Sequence, residues 1–402
     1  MLLLPQRNPT QHQLVRVVYT SALRHHITEM THPTQKKLGY HVQRYFLTIL
    51  IIHSTMIIAT SFTTALRSIS SRLSTTSAHR HISALSSNQL NLWYDESLMD
   101  HMLYRIKEVN KVPYNLNFIN FTVNGKVVGK VTHKVAERLS SYGSAFELST
   151  GTNQPTLTLS NAAGSTIEQR TNSVAIVMES LRNDGYITGW RDELYPVAIS
   201  FDSQPLFLVE RAAANILGVL EYGVHINGLV QDESSGETLM WMARRSQTKS
   251  KYPGFMDHIV AGGQPAGLSL MENVLKECEE EAGIPHELTL QGIKPAGAIS
   301  YEDYTPKDGV VGEGSLNRVV LFTFDLLLPI DFTPRANDGE VEEFFKWRLQ
   351  DIGNSMDPDY TDPIKPNCYV VIIDYLLRCG AISPDSPKYL DILRTLRSGS
   401  CC

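Results

Sequence analysis

The segment Gly262–Ile284, GGQPAGLSLMENVLKECEEEAGI, constrains this chain more than any other stretch. It spaces Glu277, Glu280 and Glu281 three and four residues apart, so all three carboxylates share one face of a helix. Met271, Val274, Leu275, Cys278 and Ala282 form the apolar or small stripe that packs inward. Three like charges on one turn repel each other unless a cation sits among them. Clustered hard oxygen ligands suit Mg²⁺ or Mn²⁺, and Mg²⁺ usually binds substrate phosphates in turn. A glycine-rich loop (Ala261, Gly262, Gly263, Gly267) enters the helix and Gly283 ends it. Glycines there permit close backbone approach and positive φ. The competing reading, a solvated acidic face, explains the helix but not the glycines around it.

The segment resembles the signature of the Nudix hydrolases: G, five residues, E, seven residues, then R-E-U-x-E-E-x-G-U, where U is bulky and aliphatic. Gly262, Glu277, Glu280, Glu281, Gly283 and Ile284 match, with Cys278 at the first U. Leu268 stands in place of the first Glu and Lys276 in place of the Arg. The resemblance implies an α/β (α+β) fold, a helix–sheet–helix sandwich preceded by a smaller α/β domain. It also implies diphosphate hydrolysis with Mg²⁺ or Mn²⁺, with Glu277 and Glu281 as direct ligands and Glu280 assisting or bridging through water.

Upstream, Phe118–Val123 alternates as a strand, and Asn124-Gly125 predicts a hairpin into Lys126–Val131. Ser173–Asn183 has helical periodicity, and WRDELYP (Trp190–Pro196) follows as an aromatic and charged segment. Glu210–Tyr222 reads as an Ala/Leu-rich helix stopped by Gly223. Strands are expected at Val224–Gln231, Thr238–Arg244, Ile259–Ala261, Gly292–Ser300 and Arg318–Leu327, with helices at Asn273–Ala282 and Asn367–Arg378. Residues 95–222, YGVHINGLV (Tyr222–Val230) and KPNCYVVIIDYLLRCGAI (Lys365–Ile382) resemble a eukaryotic Nudix subfamily associated with thiamine diphosphate. That resemblance implies a domain at 95–222, a Nudix domain at 223–395, and thiamine diphosphate or its damaged or oxidised analogues as substrate. The alternative is a nucleoside diphosphate derivative such as ADP-ribose or a dinucleotide cofactor.

Related proteins carry an acidic residue before the final strand, and ANDGEVEEFFKW (Ala336–Trp347) supplies Asp338, Glu340, Glu342 and Glu343. Glu340 is the first candidate for base or ligand and Glu343 the second, against an ordinary acidic turn. WMARRSQTKSKYPG (Trp241–Gly254) offers Arg244, Arg245, Lys249 and Lys251 to phosphates, with Gly262 and Gly263 behind them. The bland alternative is a solubilising hairpin tip. Trp190, Tyr195, Trp241, Tyr301 and Tyr304 are wall candidates for an organic moiety, each as readily core. His225 and His258 receive no role, and Cys278 reads as packing.

Charge divides the chain. Before Asp95, Glu29 is the single acid against nine Lys or Arg; afterwards 27 basic residues face 41 acidic ones. That balance argues against a nucleic-acid partner. Five cysteines, with no paired spacing outside the terminal Cys401-Cys402, indicate neither a zinc site nor a disulfide framework. Residues 1–94 are basic, Ser- and Thr-rich and nearly acid-free, like an organelle leader. Their apolar run, 45–60, is too short for a stable membrane anchor and reads as a signal core. The expectation is a plastid, reached through a secretory signal, with mitochondrion or cytoplasm as alternatives.

Overall fold

The computed structural model describes residues 95–398, apart from 152, 153, 250 and 338. The leader 1–94, Asp338 and Cys401-Cys402 lie outside the described residues.

The first helix, α1 (Glu96–Glu108), begins where the Asp95 carboxylate accepts the Ser97 and Leu98 amides. Strands β1 (Phe118–Val123) and β2 (Lys126–Thr132) form the expected hairpin. Asn124 and Gly125 both adopt positive φ, 50° and 72°, as a tight hairpin requires. Helix α2 (His133–Ser141) and strands β3 (Phe146–Ser149) and β4 (Thr156–Leu159) complete a sheet of order β2-β1-β4-β3. Helix α3 (Ile167–Asn183) starts earlier than its apolar period indicates, because Thr166 and Gln169 form a capping box ahead of it. Strands β5 (Leu194–Val197) and β6 (Phe207–Glu210) pair antiparallel. Phe121, Phe146, Leu157, Met178 and Phe207 fill the core of this region.

The helix expected over Glu210–Tyr222 is corrected. Only α4 (Arg211–Ala214) is helical, and β7 (Leu220–Asp232) begins soon after. Gly218 turns the chain at φ +54°, so close to the first sheet that a Cβ would lie 1.8 Å from the Lys130 carbonyl oxygen. Leu220, Glu221 and Tyr222 then pair in parallel with Arg318, Val319 and Val320. Tertiary strand pairing overrides the local Ala/Leu propensity.

The main sheet adds β8 (Glu237–Arg245), β9 (Met256–His258) and β10 (Val260–Gly263). Helices α5 (Leu270–Ala282) and α6 (His286–Gly292) precede β11 (Ile293–Lys307), β12 (Val310–Leu328) and β13 (Val341–Arg348). The chain ends in α7 (Leu349–Asn354), α8 (Pro366–Arg378) and α9 (Tyr389–Thr395). Strand order is β11-β12-β7-β8-β13, with β10 on β7 and β9 on β8. Along β7, Val224, Ile226 and Val230 join Val274, Cys278 and Ala282 of α5 in one core. Leu229, Met240 and Met242 join residues of α1, α8 and α9 in another. The sheet is therefore covered on both faces, in the helix–sheet–helix order expected, and β7 is buried continuously from Val224 to Val230.

Candidate active site

Helix α5 is fixed at both ends. Ser269 and Glu272 form a reciprocal capping box at its start. At its end Gly283 takes φ 61°, and the Ile284 amide donates to the Cys278 carbonyl at 2.9 Å. With Val274, Cys278 and Ala282 turned inward, the carboxylates line up along the adjoining face. Burial pushes the Cys278 thiol up to about 12, which fits packing and not nucleophilic chemistry.

The glycine loop and the carboxylates fit each other. The Ala261 amide donates to Glu281 Oε2 at 2.8 Å. A Cβ on Gly262 would lie 2.3 Å from Glu277 Cδ, so glycine is required for that carboxylate to sit where it does. Asn273 Nδ2 donates to the Gly263 carbonyl at 2.8 Å, and Gln264 Nε2 to the Leu268 carbonyl at 2.7 Å. The loop thus closes at residue 268 through its backbone, and the leucine side chain is not needed for closure. Lys276 Nζ lies 3.2 Å from Glu277 and 2.7 Å from Glu280.

Glu277 and Glu281 are each 9% exposed, whereas the Glu280 side chain is half exposed. Burial pushes Glu281 up to about 8; the Ala261 amide opposes it, and Glu277, Asp257 and Glu340 add repulsion. Burial also raises Glu277, against the pull of Lys276. Two buried carboxylates that resist ionisation, beside a cradle kept open by Gly262, fit a small hard divalent cation.

Of the downstream acids, Glu340 is the one electrostatically linked to this group, adding repulsion at Glu281. Burial opposes its ionisation, but its ion pair with Lys249, together with the charges of Arg191 and Arg245, lowers its pKa. Glu343 is not brought in; it is exposed on β13 opposite Arg244. Of the four cations expected for phosphate, three are already engaged by carboxylates. Arg244 grips Asp362 bidentately at 2.6 and 2.8 Å, and Arg245 binds Asp257 at 2.6 Å. Lys249 is held by Glu340, and Lys251 is exposed with its carbonyl accepting from Arg245. Among the aromatic candidates, Trp241 and Tyr304 are core, 5% and 6% exposed. Trp190 donates to Asp192, and Tyr301 is partly buried near Glu221 and Asn367. Tyr195 alone reaches the glycine loop: a Cβ on Gly263 would lie 1.8 Å from its hydroxyl.

Two groupings escaped the sequence. On the sheet face away from α5, Asp257 accepts from Arg245 (2.6 Å), Lys365 (3.1 Å) and the Cys368 thiol (2.7 Å). His225 and His258 share a hydrogen bond between their Nδ1 atoms at 3.0 Å beside it. Burial pushes His258 down to about 4, with Asp257 pulling the other way, and drives His225 well below its usual range. Lys365 and Cys368 lie more than a hundred residues from Asp257, so no spacing announces the group. The second grouping is Glu193, Tyr195 and Arg211 beside Gly263; the charged WRDELYP segment was its one visible signal.

A domain of unknown function, DUF4743, matches residues 101–221. Nudix hydrolase 24, chloroplastic, of Arabidopsis thaliana is 41% identical over 284 residues, covering 71% of this chain and 74% of that protein. Nudix hydrolase 20, chloroplastic, of the same plant is 39% identical over 314 residues, covering 77% and 80%. A MutT/nudix family protein from Enterococcus faecalis aligns with TM-score 0.31 and 14% identity over 43% of this chain and 67% of its own. The assignment stands on the sequence relatives, which share the greater part of their length with it: the chain belongs to the Nudix hydrolases, enzymes of the pyrophosphohydrolase type.

Proposed function

We propose that the protein hydrolyses thiamine diphosphate, or its damaged or oxidised analogues, to the monophosphate and phosphate with Mg²⁺. The observation that carries the reaction is the pair of buried carboxylates, Glu277 and Glu281, cradled by Gly262 with Lys276 as close counter-charge. The substrate rests on the resemblance of 95–222, Tyr222–Val230 and Lys365–Ile382 to the thiamine-associated subfamily. Glu277 and Glu281 would hold the Mg²⁺, or Mn²⁺ in its place. The metal supplies charge neutralisation at the diphosphate. Glu280, at the solvent edge, orders water beside it, and Glu340 is the downstream carboxylate that takes the water proton. In this reading 95–222 is a domain that accompanies a catalytic domain at 223–395.

The test is phosphate release by the full chain with Mg²⁺, from thiamine diphosphate, its oxidised analogues and ADP-ribose. Preference for the thiamine set, abolished by Glu281→Gln, is the expected result. Preference for ADP-ribose would discard the substrate while keeping the reaction, and silence across the panel would discard both. A plastid location is part of the proposal, supported by the acid-poor leader and the chloroplastic names of both relatives. A fluorescent fusion to residues 1–94 that stays outside plastids would refute it.

A further inference from the structure

The cations that the Nudix region offers to a phosphate are largely committed. Arg244 is held by Asp362, Arg245 by Asp257 and Lys249 by Glu340, while Lys276 bridges Glu277 and Glu280. Another guanidinium stands at the loop, and it comes from the other part of the chain. The β5–β6 hairpin and the start of α4 press on the glycine loop. The Leu194 carbonyl accepts from the Ala266 amide at 2.9 Å, and the Tyr195 hydroxyl leaves no room for a side chain at 263. A Cβ on Gly263 would lie 3.1 Å from Arg211 Cζ. The Arg211 side chain is nonetheless 41% exposed, and it passes over the Tyr195 ring at 5.4 Å. Its Nη1 binds Glu193 Oε2 at 2.8 Å, and the Arg211 amide donates to the Glu193 carbonyl, also at 2.8 Å. The charge of Glu193 reaches Glu277, and that of neighbouring Arg191 reaches Glu340. Leu194, Tyr195 and Arg211 therefore lie against the same glycine loop that seats Glu277.

We propose that Arg211, delivered by the domain of unknown function, is a phosphate-binding residue of the active site, with Glu193 as the counter-ion that a diphosphate displaces. The proposal deepens the hydrolase reading and rests on it. A partly exposed arginine beside a glycine-loop backbone can present a planar fork to phosphate oxygens. Glu193 holds that fork in place until an anion of higher charge arrives. Tyr195, 4% exposed, is the packing piece that fixes the guanidinium against Gly263. The domain would thus complete the site, and a Nudix region without it would lack this phosphate contact.

The experiment uses the full chain and methylenediphosphonate, a diphosphate analogue that cannot be hydrolysed, with binding measured by calorimetry at saturating Mg²⁺. Arg211→Met is expected to weaken binding about 10- to 100-fold, the usual effect of losing a charged hydrogen bond. Arg211→Lys recovers part of the loss, because the point charge remains but the fork does not. Glu193→Gln tightens binding several-fold by removing the competitor. If Arg211→Met does not fold, as judged by circular dichroism, Glu193→Gln decides: tighter binding supports the proposal, and unchanged or weaker binding overturns it. Equal binding by wild type and Arg211→Met overturns it too, as does a wild-type protein that does not bind the analogue. Failure of the hydrolase reading looks different: Arg211-dependent binding would persist while no diphosphate is cleaved. Hydrolysis by Arg211→Met with wild-type KM would sink the present proposal alone.

Discussion

Asp257 and Glu281 are both buried carboxylates, 5% and 9% exposed, yet their proton affinities move in opposite directions. Burial works against ionisation in each. At Asp257 it is overcome by Lys365 and Arg245, which hold the carboxyl far below the usual range. At Glu281 the chief compensation is one backbone amide, and further acids crowd around it, so its pKa rises to about 8. The first carboxylate is complete within the fold. The second is complete only when something positive arrives. Burial alone does not separate structure from function; the supply of local counter-charge does.

The comparison predicts opposite responses to neutralisation. Asp257→Asn should destabilise the protein by about 3–5 kcal/mol, because Lys365 and Arg245 lose their shared partner in the interior. Urea unfolding measures this, and a change below about 1 kcal/mol would mean the ion pairs are not what holds this knot. Glu281→Gln should lower kcat about 10²- to 10³-fold, the scale of losing one key electrostatic group, while melting temperature stays level or rises. A large fall in stability would show that Glu281 is a structural group like Asp257.

Acid should weaken the Asp257 side through its histidines. His258 has a folded pKa of about 4 against an unfolded value near 6.5. Its contribution is fully present above the unfolded value. As pH falls through that window the unfolded chain takes up a proton that the native state refuses, so stability drops by up to about 3 kcal/mol. His258→Gln should flatten the urea midpoint profile between pH 6.5 and 4; an unchanged slope would remove the histidine from the explanation. On the other side, the proposed Mg²⁺ site requires the ion to displace the proton from Glu281. Its affinity should rise up to about tenfold per pH unit from pH 6 and level off above pH 8. Titration calorimetry that finds no pH dependence would mean that Glu281 is already ionised without metal.

Much of the α5 side was legible in the residues, for a physical reason. Its groups are local: Gly283 and the three glutamates act over one or two helical turns, and helical period brings them together, although the Ser269 cap starts the helix at Leu270, before the expected Asn273. The Asn124-Gly125 hairpin was readable on the same ground. The Asp257 knot was not, because its members come from β8, β9 and α8 and meet only through the sheet. The fate of Arg244 was hidden likewise, since Asp362 lies 118 residues away. The false helix over Glu210–Tyr222 has the same origin: β12, which pairs with Leu220–Tyr222, begins at Val310, far beyond the local window.

Helix α1 is among the first parts of the folded region to leave the ribosome, and its partners are among the last. The Arg105 guanidinium donates to the Met356 carbonyl across 251 residues, and Met99 and Met102 share a core with α8 and α9. Contacts of such long sequence separation form late and slow folding. The domain that matches DUF4743 can gather its own core early, but the sandwich behind it stays open until the final helices are made. Any nascent chain halted before Leu349 would carry α1 with its methionines uncovered, a ready surface for chaperones and a reason for the enzyme to mature only after synthesis is complete.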